Sequence, residues 1–249
     1  MAALLVDIGN TRLKWALLDA DGLGPTHAAV HGHEWAAGRL VELWGGMAAP
    51  SRVLVASVAG ATAAEAVAQV ARERWGCETA VVLAAARAGG VTNGYARPEQ
   101  LGVDRWLALI AAHADHAGAT CVADCGTAVT VDVVDAAGRH LGGMILPGIR
   151  SMGECVLART RIPHCEATDT ERAFGRHTAE AIAAGGLNAV VGAIARALDA
   201  ARDLLGVEPR LVLAGGDAAR VAAAVGRRTE LRPDLVIEGL AVLARDIDA

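Results

Sequence analysis

Short apolar runs open the chain. Leu4 to Ile8 and Leu13 to Leu18 are followed by a weaker run near Ala28 to His31, each of strand length. Apolar residues then recur at helical spacing around Glu34 to Trp44 and over Ala63 to Trp75. Buried strands are predicted at Arg52 to Ala56 and at Val81 to Leu83. The order is βββαβα. A turn-rich stretch, Gly89 to Pro98, leads to Leu101-Gly102-Val103-Asp104-Arg105-Trp106. From Arg105 the positions Leu107, Ile110, Ala111 and Ala114 predict a helix to about His116, ended by Gly118.

The second half restarts the pattern. Strands are predicted at Cys121 to Ala123, Val129 to Val134 and Leu141 to Leu146, closing at Pro147-Gly148. A long helix, Thr178 to Leu205, carries an apolar stripe through Ile182, Val190, Ile194, Leu198 and Leu205. Arg210 to Ala214 is a buried strand ending in Gly215-Gly216-Asp217, with a helix after it. Two α/β units follow from this duplication, residues 1–118 and 119–249. The two openings also share their wording: Asp7-Ile8-Gly9-Asn10 and Asp124-Cys125-Gly126-Thr127 each put an acid and a glycine at the end of an apolar strand.

Composition narrows the chemistry. Of 249 residues, 53% are hydrophobic and 20% charged, which excludes a disordered chain, and the net charge of −5 gives no reason to expect nucleic acid as a partner. The longest uncharged helical stretch, Ala181 to Ala195, falls short of the roughly 20 residues that cross a bilayer, so it reads as a core helix and no membrane partner is expected. Asp7 and Arg12 interrupt any apolar export signal, which points to the cytoplasm. Cys77, Cys121, Cys125, Cys155 and Cys165 are expected to be reduced, buried thiols. The pairs His31/His33 and His113/His116 lack neighbours at zinc-site spacing.

An acid and a glycine at a strand end can hold a metal ion and bring backbone N–H groups to a phosphate. Two such turns facing each other would clamp a nucleotide. In the first turn Lys14 is the single lysine among 23 basic residues, and a position that keeps Lys against such a bias calls for a compact point charge beside phosphates. The bland alternative for either turn is a hairpin whose Asp caps backbone groups. No P-loop segment G-x-x-x-x-G-K-[S/T] is present, and no G-x-G-x-x-G follows a strand. Gly215-Gly216-Asp217 is a weak candidate for the adenine ribose. Asp104 is expected at the N-cap of its helix, where it either serves only as a cap or takes the proton from a hydroxyl attacking the γ-phosphate of ATP. Arg105 can hold a carboxylate in a bidentate pair, and Tyr95, the only tyrosine, lies just upstream.

The repeated unit resembles the ribonuclease-H-like fold, found twice in the sugar kinase, actin and Hsp70 superfamily, with a central cleft between the copies. More specifically, five segments resemble the type III pantothenate kinases. These are Asp7-x-Gly9-Asn10-Thr11-x-x-Lys14, Tyr95-x-x-Pro98-x-x-Leu101-Gly102-x-Asp104-Arg105, Asp124-x-Gly126-Thr127-Ala128, Gly142-Gly143-x-Ile145-x-Pro147-Gly148 and Thr178-x-x-Ala181-Ile182-x-x-Gly185. Together they span most of the chain.

The resemblance implies ATP-dependent phosphorylation of pantothenate at its primary hydroxyl, the first step toward coenzyme A. It implies ATP contacts from Asp7, Ile8, Gly9, Asn10, Thr11, Arg12, Leu13, Lys14 and Thr127. It assigns pantothenate to Tyr95, Gly102, Val103, Asp104, Arg105 and Thr178, with Asp104 as proton acceptor. It assigns a monovalent cation, potassium or ammonium, to Asp124, brings Mg²⁺ with ATP, and implies a homodimer covering an Ala- and Gly-rich helix face. Two places depart from the family pattern: His177 stands where Asn commonly precedes Thr178, and Arg150, Glu154 and Cys155 occupy a stretch expected to be more apolar. Two competing readings use the same fold. One is a regulatory accessory factor without turnover; the other is a different kinase or phosphatase, which would lack the Tyr95 to Arg105 segment.

Overall fold

The computed structural model describes residues 2–31, 37–163, 165, 168, 170 and 172–248. They divide into two units, Met1–Asp115 with Asp234–Ala249, and His116–Pro233.

The first unit is built on strand β1 (Ala3–Ile8), which pairs antiparallel with β2 (Arg12–Asp19) and parallel with β5 (Arg52–Ser57). Strands β3 (Gly22–Leu23) and β4 (His27–Val30) lie on β2, and β6 (Thr79–Val81) completes the order β3-β2-β1-β5-β6. A strand flanked on both sides and covered on both faces must be apolar throughout. Leu4, Val6 and Ile8 accordingly face a core shared with Leu40 and Trp44 beside α1 (Ala37–Leu43) and with Val67 and Val70 of α2 (Ala61–Trp75). Helix α2 ends at Gly76, whose φ of 64° suits a left-handed C-cap. The helix expected over Glu34 to Trp44 has its first residues, with His33, outside the described residues; the described part starts at Ala37. The strand expected at Val81 to Leu83 lies earlier. Its backbone pairs with β5 through Thr79, Ala80 and Val81, and Leu83 is left exposed beyond the sheet edge.

The turn-rich stretch also contains a hairpin, β7 (Arg87–Ala88) and β8 (Val91–Thr92), joined by Gly89 and Gly90 at φ 54° and 78°. Positive φ at both turn residues is what a two-residue type I′ turn requires, and Gly-Gly supplies it. Helix α3 (Val103–Asp115) then packs against the sheet face opposite α2. It stops just before His116.

The second unit repeats the topology. Strand β9 (Thr120–Cys125) pairs antiparallel with β10 (Ala128–Val134) and parallel with β12 (Arg210–Ala214). With β11 (His140–Pro147) and β13 (Thr229–Leu231) the order is β11-β10-β9-β12-β13. Helix α4 (Ile149–Arg159) follows β11, and Arg150 forms an exposed ion pair with Glu154 on it, which places both departing polar residues on the helix surface. Helix α5 (Thr178–Leu205) lays Leu187, Val190, Ile194 and Leu198 on a sheet face shared with Val221 and Val225 of α6 (Ala218–Val225). By length and mean hydropathy α5 could cross a membrane; its buried stripe instead belongs to this core. Cys121 and Cys125 are buried, and burial first, then nearby carboxylates, pushes each thiol up to about 12. The expectation of five buried cysteines is corrected: Cys155 is exposed, and Cys77 and Cys165 are half-buried, because they sit on a helix surface and in loops.

The last helix, α7 (Leu235–Asp248), departs from the expected division at residue 119. It is sequential with the second unit but packs on the first, where Ile237, Leu240, Ala241 and Ala244 join Ala3, Leu5, Leu54 and Leu107. The physical reason is an uncovered sheet face: α3 alone does not cover the Leu5/Leu54 side, and α7 completes it. Arg52 donates to the Ala244 carbonyl at 2.8 Å and fixes the far end. The crossing depends on Gly239, where a Cβ would stand 2.2 Å from the Leu107 carbonyl oxygen. Gly239→Ala is therefore expected to destabilise the protein despite improved helix propensity. Overpacking costs about 1–3 kcal/mol against roughly 1 kcal/mol gained. Urea unfolding would measure this, and an unchanged or raised midpoint would contradict the close approach.

Candidate active site

In the first unit, Asp7 is the penultimate residue of β1 and stands directly opposite Lys14 of β2 and Ala56 of β5. Cross-strand partners project from one face, so the carboxylate and the ammonium share the side covered by α3 and α7. The turn between them closes when the Gly9 N–H donates to the Arg12 carbonyl at 3.0 Å. His31 then staples it from outside: Nε2 donates to the Gly9 carbonyl at 2.8 Å, and the His31 backbone N–H donates to Thr11 O at 3.2 Å. A carbonyl can only accept, so this geometry puts the proton on Nε2. Asn10, Thr11 and Arg12 expose their side chains. Ile8 and Leu13, expected in the same ATP segment, bury theirs in the core, which leaves them main-chain groups to offer a ligand. Lys14 Nζ donates to Asp234 Oδ1 at 3.2 Å.

The Tyr95 to Arg105 segment is held by Asn93. Its amide nitrogen donates to the Ala85 and Pro98 carbonyls, each at 3.2 Å, and its Oδ1 accepts the Tyr95 N–H at 3.0 Å. Tyr95 is thereby aimed at Arg105. The guanidinium donates to the Tyr95 hydroxyl at 2.9 Å and lies 5.6 Å from the ring centroid. Arg105 is only 6% exposed, and a buried guanidinium of this kind needs specific partners. The N-cap expected at Asp104 falls instead on Gly102, whose carbonyl accepts from Trp106 N at 2.9 Å; Asp104 is the second helical residue. Its Oδ1 accepts the N–H of Arg105 at 2.8 Å, which fixes the carboxylate's rotation. A Cβ on Gly102 would lie 2.6 Å from that same oxygen. Val103 packs inward with Leu107, so its side chain serves the core.

In the second unit, Asp124 is the penultimate residue of β9, the counterpart of Asp7. Gly215 presses its backbone onto Asp124: at φ 88° a Cβ there would stand 2.4 Å from Oδ1. Gly126 is nearby, its Cβ position 3.6 Å from the same oxygen. The Asp217 N–H donates to the Cys125 carbonyl at 2.9 Å, so the Gly215-Gly216-Asp217 turn buttresses the Asp124 turn. Thr127 exposes its side chain, while its carbonyl accepts from Gly148 N at 2.9 Å and Ser151 Oγ at 3.1 Å. Gly148 fits because a Cβ would lie 2.2 Å from the Gly126 carbonyl oxygen. Among the described residues, no group of three or more His, Cys, Asp or Glu could hold a metal ion. One carboxylate ringed by glycines is still a suitable setting for a weakly held monovalent cation, which takes backbone oxygens readily.

Thr178 opens α5 with an exposed side chain. The departure at His177 has a structural explanation: its Nδ1 accepts from the Glu180 N–H at 3.4 Å and serves as the N-cap. Glu180 reaches back past the N-cap to the Arg176 N–H at 2.6 Å, a second side-chain bond at this helix start. That bond first, then Thr170, Arg172 and His177, holds its carboxyl below the usual range. His31, Asn93, Ser151 and Asp234 were missed by sequence reasoning.

The family profile of the type III pantothenate kinases matches residues 3–200. A type III pantothenate kinase from Nitrosococcus oceani is 37% identical over 250 residues, covering 98% of this chain and 94% of that protein. Another from Alkalilimnicola ehrlichii is 38% identical over 244 residues, covering 98% of both. Among solved structures, a candidate 2-dehydro-3-deoxygalactonokinase from Sinorhizobium meliloti superposes with a TM-score of 0.61 at 18% identity, covering 99% of this chain and 98% of that one. This likeness shows the fold alone, a duplicated ribonuclease-H-like architecture. With both acid-glycine turns, the Tyr95 to Arg105 segment and end-to-end similarity to its relatives, the chain belongs to the type III pantothenate kinase family.

Proposed function

We propose that this chain transfers the γ-phosphoryl group of ATP to the primary hydroxyl of pantothenate, a cytoplasmic step that begins coenzyme A synthesis. The observation that carries the reading is Asp104. It is a carboxylate at the first turn of a helix, locked by the Arg105 N–H, beside a guanidinium that Tyr95 orients. In this mechanism the bound hydroxyl gives its proton to Asp104 as its oxygen attacks the γ-phosphorus. The bond from phosphorus to the β–γ bridging oxygen breaks, and ADP leaves with that electron pair. Arg105 pairs with the pantothenate carboxylate, and Thr178 adds a hydroxyl contact. The Asp7 to Lys14 turn and Thr127 receive the phosphates. Potassium or ammonium at Asp124 and Mg²⁺ arriving with ATP would offset phosphate charge when bound.

Asp104→Asn keeps an acceptor for the Arg105 N–H and removes the base. It is expected to lower kcat by about 10² to 10⁴ with little change in thermal stability. A coupled ATP assay with pantothenate, sugars and polyols is the measurement. Turnover on a sugar but not on pantothenate would overturn the substrate, and an undiminished kcat would remove Asp104 as base.

The cation reading is tested at Gly215. Gly215→Ala forces a methyl into the space of Asp124 Oδ1, so the potassium concentration for half-maximal activity is expected to rise about tenfold or more. An identical potassium titration in wild type and variant would count against a cation at Asp124.

We also infer a homodimer. Ala181, Gly185, Ala189 and Gly192 are exposed along one face of α5, and small residues at this spacing let two helices approach closely. A Cβ at Gly185 meets nothing within 4 Å, so Gly185→Leu is tolerated by the protomer itself. Light scattering is expected to show a dimer for the wild type and a shift toward monomer for this variant. A wild-type monomer at assay concentrations would refute the dimer.

A further inference from the structure

We propose that Asp234 is a positioning residue of the nucleotide site, holding the Lys14 ammonium where it meets the phosphates; the inference rests on the ATP-dependent reading above. The two residues are 220 positions apart in sequence, yet Nζ and Oδ1 are 3.2 Å apart. Both side chains are half-buried, Lys14 at 22% and Asp234 at 34% exposure.

The need for such a residue follows from Lys14 itself. Its four-carbon stem leaves the ammonium many rotamers, and a cation that serves the γ-phosphate must already be in place to contribute. The β1–β2 register, with Lys14 opposite Asp7, fixes which face the lysine leaves from. Asp234 fixes how far along that face the charge reaches. Its own backbone is rigid for three reasons. Pro233 precedes it, its carbonyl accepts from Glu238 N at 2.9 Å, and Leu235 and Ile237 are buried immediately after it. The carboxylate therefore stands on a fixed base at the start of α7, and α7 is tied to the same sheet that carries Lys14.

The test uses the full chain and a readout that needs no turnover. Asp234→Asn and Asp234→Ser both keep a side chain suited to a helix N-terminus and remove the negative charge. Calorimetric binding of a non-hydrolysable ATP analogue with Mg²⁺ is expected to weaken about tenfold in each, with melting temperatures close to wild type. The KM for ATP should rise in step while the KM for pantothenate stays within about twofold, a split that loss of a merely structural contact would not produce. In a Lys14→Met background, adding either substitution should change nucleotide binding no further. Equal weakening with and without Lys14, or wild-type binding in both single variants, overturns the assignment of Asp234 while leaving the kinase reading intact. Absence of nucleotide binding by the wild type would overturn both.

Discussion

A central strand buried on both faces has room for charge only at its ends, and this constraint organises each unit. In β1 and β9 the parallel neighbour on one side and the antiparallel neighbour on the other leave no edge; helices cover both faces of β1, and α5 and α6 cover the Cys121 and Ala123 face of β9. An acid in the middle of Leu4 to Val6, or of Cys121 to Ala123, would bury an unpaired carboxylate. Moved to the penultimate position it stays half-buried, directional and accessible to what binds at the carboxyl end of the strand. Asp7 and Asp124 occupy that position, and the glycine two residues later lets the chain turn without covering them. Duplication of the fold thus duplicates a place for charge.

The same logic explains which parts were legible in the sequence. The repeated strand order, both acidic turns and the Asp104 segment are local patterns, so runs, periods and spacing were enough to find them. The allocation of α7 was not legible. Its amphipathic pattern says that one face is buried but not against which sheet, and the Gly239–Leu107 approach that decides the matter joins positions far apart. The turn-rich Gly89 to Pro98 stretch hid an ordered device for the same reason. Gly-Gly signals a turn, but the clamp that aims Tyr95 is a single asparagine satisfying Ala85, Tyr95 and Pro98 together. His31 resembles any histidine at a strand end until its Nε2 meets the Gly9 carbonyl.

Glycines set the limits of the site as firmly as the acids do. Gly102 lies against Asp104, Gly215 against Asp124, and Gly148 against the main chain of Gly126 and Thr127. In each case the backbone occupies space that a side chain would take from a carboxylate oxygen or from the turn beside it. Read as punctuation, these glycines only end strands or precede a helix. Read with their neighbours, they determine where each carboxylate can point, because a methyl group at any of them would displace an oxygen or a turn.

The lone lysine gains its meaning from this arrangement. Twenty-two of the 23 basic residues are arginine, so a simple need for positive charge at position 14 would have been met by arginine as well. An arginine facing Asp234 would form a planar two-point pair with its carboxylate, spending donors on the protein and setting the charge at a fixed reach. Lysine behaves differently: its tetrahedral ammonium carries three donors, so a bond to Asp234 at 3.2 Å does not commit the whole group to one planar partner. A residue that must be held by a carboxylate and still serve a phosphate is better built from a point charge than from a fork. On the proposed role in the nucleotide site, position 14 carries that double demand.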